Sequence, residues 1–559
     1  MFAILIAILL VIRLYFIQIV HGEDYRETAL GQYVGGTGDT PDRYDILFSP
    51  KDGVEVAAAV MQTGWKIAIN TKLLTNAADA YAQLAKVVTI DKERFMASAA
   101  KKDDSYEEVA FRLTDDEAQA VRDLKIQGVT TVRDEWRFYP AGSLAAHALG
   151  FVAYQGDTKS GRYGLERYYE DTLRKDSSGL YVNPFAEIFT NVSALISSDP
   201  AGHKGSIVTS LEPSVQSELE KTLDGVMKTY TPKIAGGIVM NPTTGEIVAI
   251  AARPTFDPNT YNLESGSSIF SDPLVEGRYE MGSIMKPLTM AAGIDAGAVT
   301  PSTTYNDTGC ITKTGFTICN FDHKARGVVP MQEILSQSLN VGATFVSDKI
   351  GHAAFAQYLK NYGLGEETGI DLPNEIPGDI SSLFAQGAAD VDFASASFGQ
   401  AIAVTPIEMI RALASLANGG KLPEPHIVKS IRYETGIEKA VAQADQLQVI
   451  KPEAADTVTN MLITVFDNAL LKGALKMDHY TIAAKTGTAQ ISDPVTHKYY
   501  TDRYLHSFFG YFPAHDPKFI VFLFAVDPHG VEYASASLAQ PFDDIAKFLI
   551  NYYNIPPDR

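Results

Sequence analysis

The sequence predicts an α/β (α+β) protein whose larger, C-terminal part is a five-stranded antiparallel sheet between helical layers. Three observations predict it. Two pairs of β-rich runs each meet at a tight turn, one pair early and one late, with a lone strand-like run between them. Helix-spaced apolar runs open and close this part, so two helices can cover one face of the sheet and the central helices the other. The composition also changes near His203-Lys-Gly205, separating residues 21–205 from residues 206–559.

Residues 1–20 are nearly all apolar, with Arg13 their only charge. About 20 such residues can cross a bilayer as a helix. No small-residue cleavage pattern follows in Gln18-Ile-Val-His-Gly-Glu23, so a retained anchor is expected rather than a removed signal peptide. Arg13 interrupts the run early and no basic residue precedes it, which a start upstream of Met1 would explain. An anchored chain would place residues 21–559 outside the cytoplasm. There Cys310 and Cys319, the only two cysteines, can bridge; two small buried residues are the other reading. The net charge of −20 argues against a nucleic-acid partner. The histidines and cysteines show no metal-ligand spacing, so no metal or other cofactor is expected. His506, His515 and His529 read as surface or strand residues.

Residues 21–205 mix short helical and strand-like stretches and read as a spacer or interaction domain. Asp115 to Ile126 is helix-like, while Pro140-Ala-Gly142 and Gly161-Arg-Tyr-Gly164 are turns. Beyond the boundary, Ser214 to Tyr230 carries Val215, Leu219, Leu223 and Val226 at helical spacing. Ile234 to Met240 and Glu246 to Ala252 form a hairpin about Asn241-Pro-Thr-Thr-Gly245. Thr405-Pro406-Ile-Glu408 opens a helix with a capping threonine, a proline and a glutamate at the third position, and Asn418-Gly-Gly420 ends it. Tyr480 to Ala484 is a strand leading into Lys485-Thr486-Gly487-Thr488. His506 to Phe512 and Lys518 to Val526 form the late hairpin, and Asp543 to Tyr552 the last helix.

The chemistry centres on Tyr279-Glu-Met-Gly-Ser283-Ile-Met-Lys286-Pro287, followed by an apolar run. This predicts a buried helix with Ser283 in its first turn, since Pro287 is tolerated only there. Positions three apart share a helix face, so the Ser283 hydroxyl and the Lys286 amine can meet. A serine needs an adjacent base to act as a nucleophile, and a desolvated lysine beside another cation can be that base. Ser338-Leu-Asn340 and Lys485-Thr-Gly487 follow in order. Two decoys fail. Ser98 and Lys101 repeat the first spacing among charged residues, and Lys313-Thr-Gly315 precedes Ser338 and lies off any plausible strand. Taken singly, the three motifs read as a helix cap, a turn and a strand end; their order makes them a set.

Ser283-Ile-Met-Lys286-Pro287, Ser338-Leu-Asn340-Val-Gly342 and Lys485-Thr-Gly-Thr488-Ala-Gln490 resemble the transpeptidase boxes of the penicillin-binding proteins. Asn241-Pro-Thr-Thr-Gly245 and Gly399-Gln-Ala-Ile-Ala-Val-Thr405-Pro406 are similar to further stretches of that family's class B members. Upstream, Arg137-Phe-Tyr-Pro140-Ala-Gly142 and Gly164-Leu-Glu166 resemble the class B pedestal. One departure is Arg43-Tyr44, where the family usually has Arg-Gly; it puts that local turn in doubt. The resemblance implies a transmembrane anchor (1–20), an elongated pedestal or dimerisation-like domain (21–205) and a transpeptidase domain (206–559). It places the chain at the bacterial cytoplasmic membrane, single-pass with its N-terminus inside. It also implies Ser283 as acyl-forming nucleophile, Lys286 as its base and Lys485 as the cation that helps keep Lys286 neutral. Ser338 would pass a proton to the leaving amine and Asn340 would hold the substrate amide. Thr486, Gly487 and Thr488 would bind the substrate or β-lactam, Lys485, Thr486 and Thr488 its terminal carboxylate, and the backbone N–H groups of Ser283 and Thr488 would form the oxyanion hole. The implied substrates are peptidoglycan stem peptides on lipid II-derived glycan strands, with β-lactams as inhibitors. The implied partners are a membrane glycosyltransferase and other division proteins. The division type is expected over the elongation type; a D,D-carboxypeptidase, a class A β-lactamase and a catalytically silent scaffold are the rivals.

Overall fold

The computed structural model describes residues 42–101, 104–155, 158–175, 204–434, 436–441, 445–493, 495–496 and 498–559. The anchor expected over residues 1–20 lies outside these. Among the described residues no helix is long and apolar enough to cross a membrane.

Five antiparallel strands form the central sheet, in the order Ala483–Ser492, Tyr499–Phe512, Phe519–Val526, Ile234–Met240, Ile247–Arg253. Period-two alternation divides their side chains between two cores. Val239, Val521, Leu523, Phe508 and Phe512 face one, and Ile238, Ile520, Phe522, Phe524 and Phe509 the other. The first core is closed by the helices Pro213–Tyr230 and Ala539–Tyr553 through Leu219, Leu223, Phe542 and Leu549. The second is closed by Lys286–Asp295, Pro406–Ala417 and Pro452–Thr464. Lys286–Asp295 is buried almost all round, as a central helix should be. Each fully buried Leu or Phe here contributes about 1.5–3 kcal/mol. The capping box expected at Thr405 forms with Glu408, whose other oxygen also accepts the N–H groups of Gly365 and Gly378.

Three local expectations change. Ser283 lies not in the α-helix but in a 3₁₀ turn, Gly282–Met285, with the α-helix starting at Lys286. Pro287 explains it: a proline ring clashes with the carbonyl four residues back, here that of Ser283, so α geometry cannot extend through it. Instead the Lys286 N–H donates to the Ser283 carbonyl. The strand expected to end at Ala484 runs from Ala483 to Ser492, because the partner strand extends back to Tyr499 and continues the ladder. Lys313, expected off any strand, ends the strand Cys310–Lys313 and pairs with Asp348. The other decoy behaves as expected, since Lys101 is exposed and pairs with Glu107.

A second sheet crosses the 205/206 boundary. The long strand Val56–Ile69 pairs with Ile46–Phe48, Glu107–Leu113 and Val129–Phe138. Gly205–Thr209 joins parallel to Ile46–Phe48, and Val428–Tyr433 and Glu438–Ala440 complete the far edge. Segments from both sides of the boundary thus share one hydrogen-bonded ladder. Beside it a buried ion cluster ties distant segments together. Glu166 accepts Arg43 at 2.9 Å and Arg137 at 2.6 Å, and Arg43 also reaches Glu170 at 2.7 Å. Burial alone would raise the Glu166 pKa, but the two guanidiniums outweigh it and hold the carboxyl below its ordinary value. At Arg43-Tyr44 the Tyr44 N–H donates to the Leu173 carbonyl, and the Arg43 backbone pairs with Arg174 in an isolated antiparallel β-bridge.

Removing one member of such a cluster leaves uncompensated buried charge. Glu166→Ala should therefore destabilise the fold by about 3–5 kcal/mol in equilibrium denaturant unfolding. Because its folded pKa is depressed, the Glu166 contribution is present above the carboxyl's unfolded pKa. It is lost as pH falls through the folded one, so the gap between variant and wild type should narrow in acid.

Candidate active site

The site forms where three segments meet: the 3₁₀ turn holding Ser283, the turn before helix Asn340–Ile350, and the edge strand Ala483–Ser492. Eclipsed positions in a 3₁₀ turn bring residues three apart together. The Lys286 Nζ lies 2.9 Å from Ser283 Oγ. It also lies 2.6 Å from the Ser338 carbonyl and 3.1 Å from Ser338 Oγ. Lys485 Nζ approaches the same Ser338 Oγ at 3.0 Å and donates to the Thr486 carbonyl at 2.9 Å. Ser283, Lys286, Ser338 and Lys485 therefore form one continuous chain of polar atoms. Ser338 reaches it in the left-handed region, φ +54°, a conformation that costs a non-glycine residue about 1–3 kcal/mol.

Both lysines are almost wholly buried, at 1% and 3% exposure. Burial, then the charge of Lys485, holds the Lys286 amine well below the ordinary lysine range. Burial alone pushes Lys485 down to about 7. A neutral Lys286 has a lone pair for the Ser283 proton and N–H groups left to donate to Ser338. The arrangement can therefore deprotonate a serine without a histidine or a carboxylate.

The backbone is placed as tightly as the side chains. Gly487 sits against the Ser283 turn: a Cβ there would come within 2.3 Å of Ser507 Oγ and 2.7 Å of the Met281 carbonyl. Ser507 Oγ, opposite Gly487 in the ladder, donates to that carbonyl at 2.8 Å. Gly282 takes φ +65°, and its N–H donates to the carbonyl of Gly399, where a Cβ would meet Gly282 O at 2.3 Å. Only glycine permits that crossing. Asn340 is one step removed from the lysines. Its Nδ2 donates to the Cys319 carbonyl at 2.8 Å, which leaves its Oδ1 free of that bond. Cys310 and Cys319 are disulfide-bonded across a two-stranded hairpin. Next to them Asn320 binds Asp307 and accepts the Val341 N–H, tying the hairpin to the start of the Asn340 helix. Thr488 Oγ1 accepts the Ala534 N–H at 3.1 Å.

Ser507 and the Cys319 carbonyl escape a reading by motif, because each acts through a neighbour set only by strand register or chain crossing; Gly399 opens a stretch singled out by motif, but its crossing with Gly282 is not encoded there. Glu280 escapes it too, although it lies three residues before the serine. One of its oxygens accepts both the Ala401 N–H and the Tyr499 hydroxyl at 2.9 Å, tying the Ser283 turn to the start of the strand Tyr499–Phe512.

Residues 235–547 match the penicillin-binding protein transpeptidase domain, and residues 52–184 the penicillin-binding protein dimerisation domain. Stage V sporulation protein D of Bacillus subtilis is 27% identical over 97% of this chain and 83% of its own length. A probable peptidoglycan D,D-transpeptidase FtsI of Caulobacter vibrioides is 28% identical over 75% of this chain and 65% of its own. Penicillin binding protein 3 of Mycobacterium tuberculosis, solved with aztreonam, superposes with a TM-score of 0.70 at 22% identity, covering 93% of this chain and 98% of that one. Penicillin Binding Protein 2X of Streptococcus thermophilus gives a TM-score of 0.71 at 23% identity, covering 92% and 81%. With a dimerisation region before a transpeptidase domain, the chain belongs to the class B penicillin-binding proteins.

Proposed function

We propose that this protein is a peptidoglycan D,D-transpeptidase that crosslinks stem peptides through an acyl-enzyme on Ser283. The observation that carries the reading is the buried chain Ser283–Lys286–Ser338–Lys485. Lys286 takes the Ser283 proton as Oγ attacks the carbonyl of the penultimate D-alanine. Ser338, between the two lysines, delivers a proton to the nitrogen of the terminal D-alanine as that C–N bond breaks. The amine of a second stem peptide then attacks the ester, loses a proton to the same relay and releases Ser283. Backbone N–H groups of Ser283 and Thr488 stabilise the oxyanion, each donor contributing about 3–4 kcal/mol. Asn340 holds the substrate amide, and Lys485 with Thr486 and Thr488 binds the terminal carboxylate along the edge strand at Gly487. β-Lactams imitate the D-alanyl-D-alanine end and stop at the acyl stage.

The site is proposed to work in the septal cell wall, with the chain anchored by residues 1–20 in the bacterial cytoplasmic membrane and its catalytic part outside. A glycan-polymerising glycosyltransferase and other division proteins are its proposed partners there. The relatives named FtsI and PbpB favour this reading. A second reading, a role in sporulation, is favoured by the long match to stage V sporulation protein D. Imaging of a fluorescent fusion in the producing cells separates them: signal at midcell in growing cells supports the first, and signal confined to sporulating cells the second.

Incubation with a fluorescent penicillin, followed by mass spectrometry, tests the chemistry. A stable adduct should appear on the Ser283 peptide and be absent from Ser283→Ala. Lys286→Ala should slow acylation about 10²–10⁴-fold, the usual scale of a general base. Rapid turnover without a lasting adduct would instead indicate a β-lactamase, and no reaction from folded protein a scaffold.

Acylation needs Lys286 without its proton and Lys485 with its own. The second-order acylation constant should therefore rise with pH as Lys286 loses its proton, which its depressed pKa brings below the ordinary lysine range. It should fall as Lys485 loses its proton, near pH 7 in the unliganded protein. Lys485→Arg, whose guanidinium stays charged, should lower the maximum and remove the alkaline limb. Stopped-flow acylation over about pH 5–9 reads both limbs.

A further inference from the structure

His506 is buried with zero exposure on the strand next to the Lys485 strand, directly opposite Thr488 in the antiparallel register. Directly opposed residues point to the same face of a sheet. Both side chains hold one short segment, residues 532–537. His506 Nε2 lies 3.0 Å from the Glu532 carbonyl and His506 Nδ1 lies 2.7 Å from Ser537 Oγ. Between these two contacts, the Ala534 N–H donates to Thr488 Oγ1 at 3.1 Å. A carbonyl can only accept, so Nε2 carries the proton, and the Nδ1 lone pair accepts a hydrogen bond from the Ser537 hydroxyl. Burial pushes the imidazole down to about 4, so this neutral tautomer persists at neutral pH.

We infer that His506 is a positioning residue for recognition of the donor's terminal carboxylate, acting through residues 532–537 on the hydroxyl of Thr488. A hydroxyl has one proton and two lone pairs. With a lone pair of Thr488 Oγ1 occupied by the Ala534 N–H, its own O–H has no acceptor in that backbone group and is directed to an anion in the cleft. His506 fixes the segment on either side of Ala534, at Glu532 and at Ser537, and so sets where that N–H sits. Ser507, the next residue, points to the other face and holds the Met281 carbonyl of the nucleophile turn. One strand thus braces the carboxylate end and the nucleophile end of the site from opposite faces. The same segment carries Tyr533, whose ring meets Phe321 edge-on at 5.8 Å.

The inference rests on the carboxylate-binding role proposed for Thr488, and its test separates the two. Acylation of Ser283 is measured with a penicillin bearing its free carboxylate and with the methyl ester of the same penicillin. Wild type should strongly prefer the acid. His506→Ala should slow the acid about tenfold, the order of loosening one charge-assisted hydrogen bond, and leave the ester within about twofold. His506→Gln, whose amide can donate to Glu532 and accept from Ser537, should restore most of the preference. Ser537→Ala, which keeps the imidazole and removes only its Nδ1 partner, should show a smaller loss of the same kind and serves if His506→Ala does not fold. Equal losses on acid and ester, or unchanged rates in folded variants, would overturn the positioning role. Wild-type protein that does not prefer the acid, or is not acylated at Ser283, would overturn the reading of the site itself and the inference with it.

Discussion

Two lysine amines buried within hydrogen-bond reach of one serine hydroxyl impose the strongest constraint in this molecule. Charged amines in a dry site repel each other and lose their hydration, so the protein must hold at least one of them neutral. That is the state a base requires, and it is available only if the surrounding structure will not relax. The burial of Lys286 and Lys485 is therefore maintained from every side. A central helix is covered almost all round, a strand with a glycine lies against the Ser283 turn, and a strained serine caps the pair.

The sheet supplies that rigidity. Its two faces carry separate aromatic cores, so the edge strand with Lys485 is fixed by packing on one side and by the Ser283 turn on the other. Gly487 allows the strand to approach, Ser507 bonds across the gap, and the Gly282–Gly399 crossing prevents the turn from backing away. Residues distant in sequence share the work. The disulfide hairpin at Cys310 and Cys319 holds Asn340, and residues 532–537 reach Thr488. The second sheet, with the buried Arg43–Glu166–Arg137 cluster beside it, joins segments from both sides of residue 205.

The main elements of the C-terminal part were legible because their signals are local. The helix Pro213–Tyr230, the two hairpins and the capping box at Thr405 each follow from period, turn residues or capping chemistry within a dozen positions. Boundaries were less legible. The strand through Lys485 outlasts its own apolar pattern, since Thr486, Gln490 and Ser492 are held in it by the partner strand rather than by propensity. His506 looks like any strand histidine until the fold places Ser537 and the Glu532 carbonyl on its two nitrogens.

By itself the sequence determined the chemical inventory: a serine three residues before a lysine, a second serine, a second lysine on a β-rich run, and the order that makes them a set. It also determined that Ser283 and Lys286 meet, because a spacing of three places them together in a 3₁₀ turn as it would in an α-helix. Only the tertiary structure decided the rest. Whether the amines are dry depends on what packs over them. Whether Ser338 lies between the two lysines depends on a left-handed turn and a strand register set far away in the chain. Which neighbours hold Thr488 depends on a crossing between segments that no local pattern encodes.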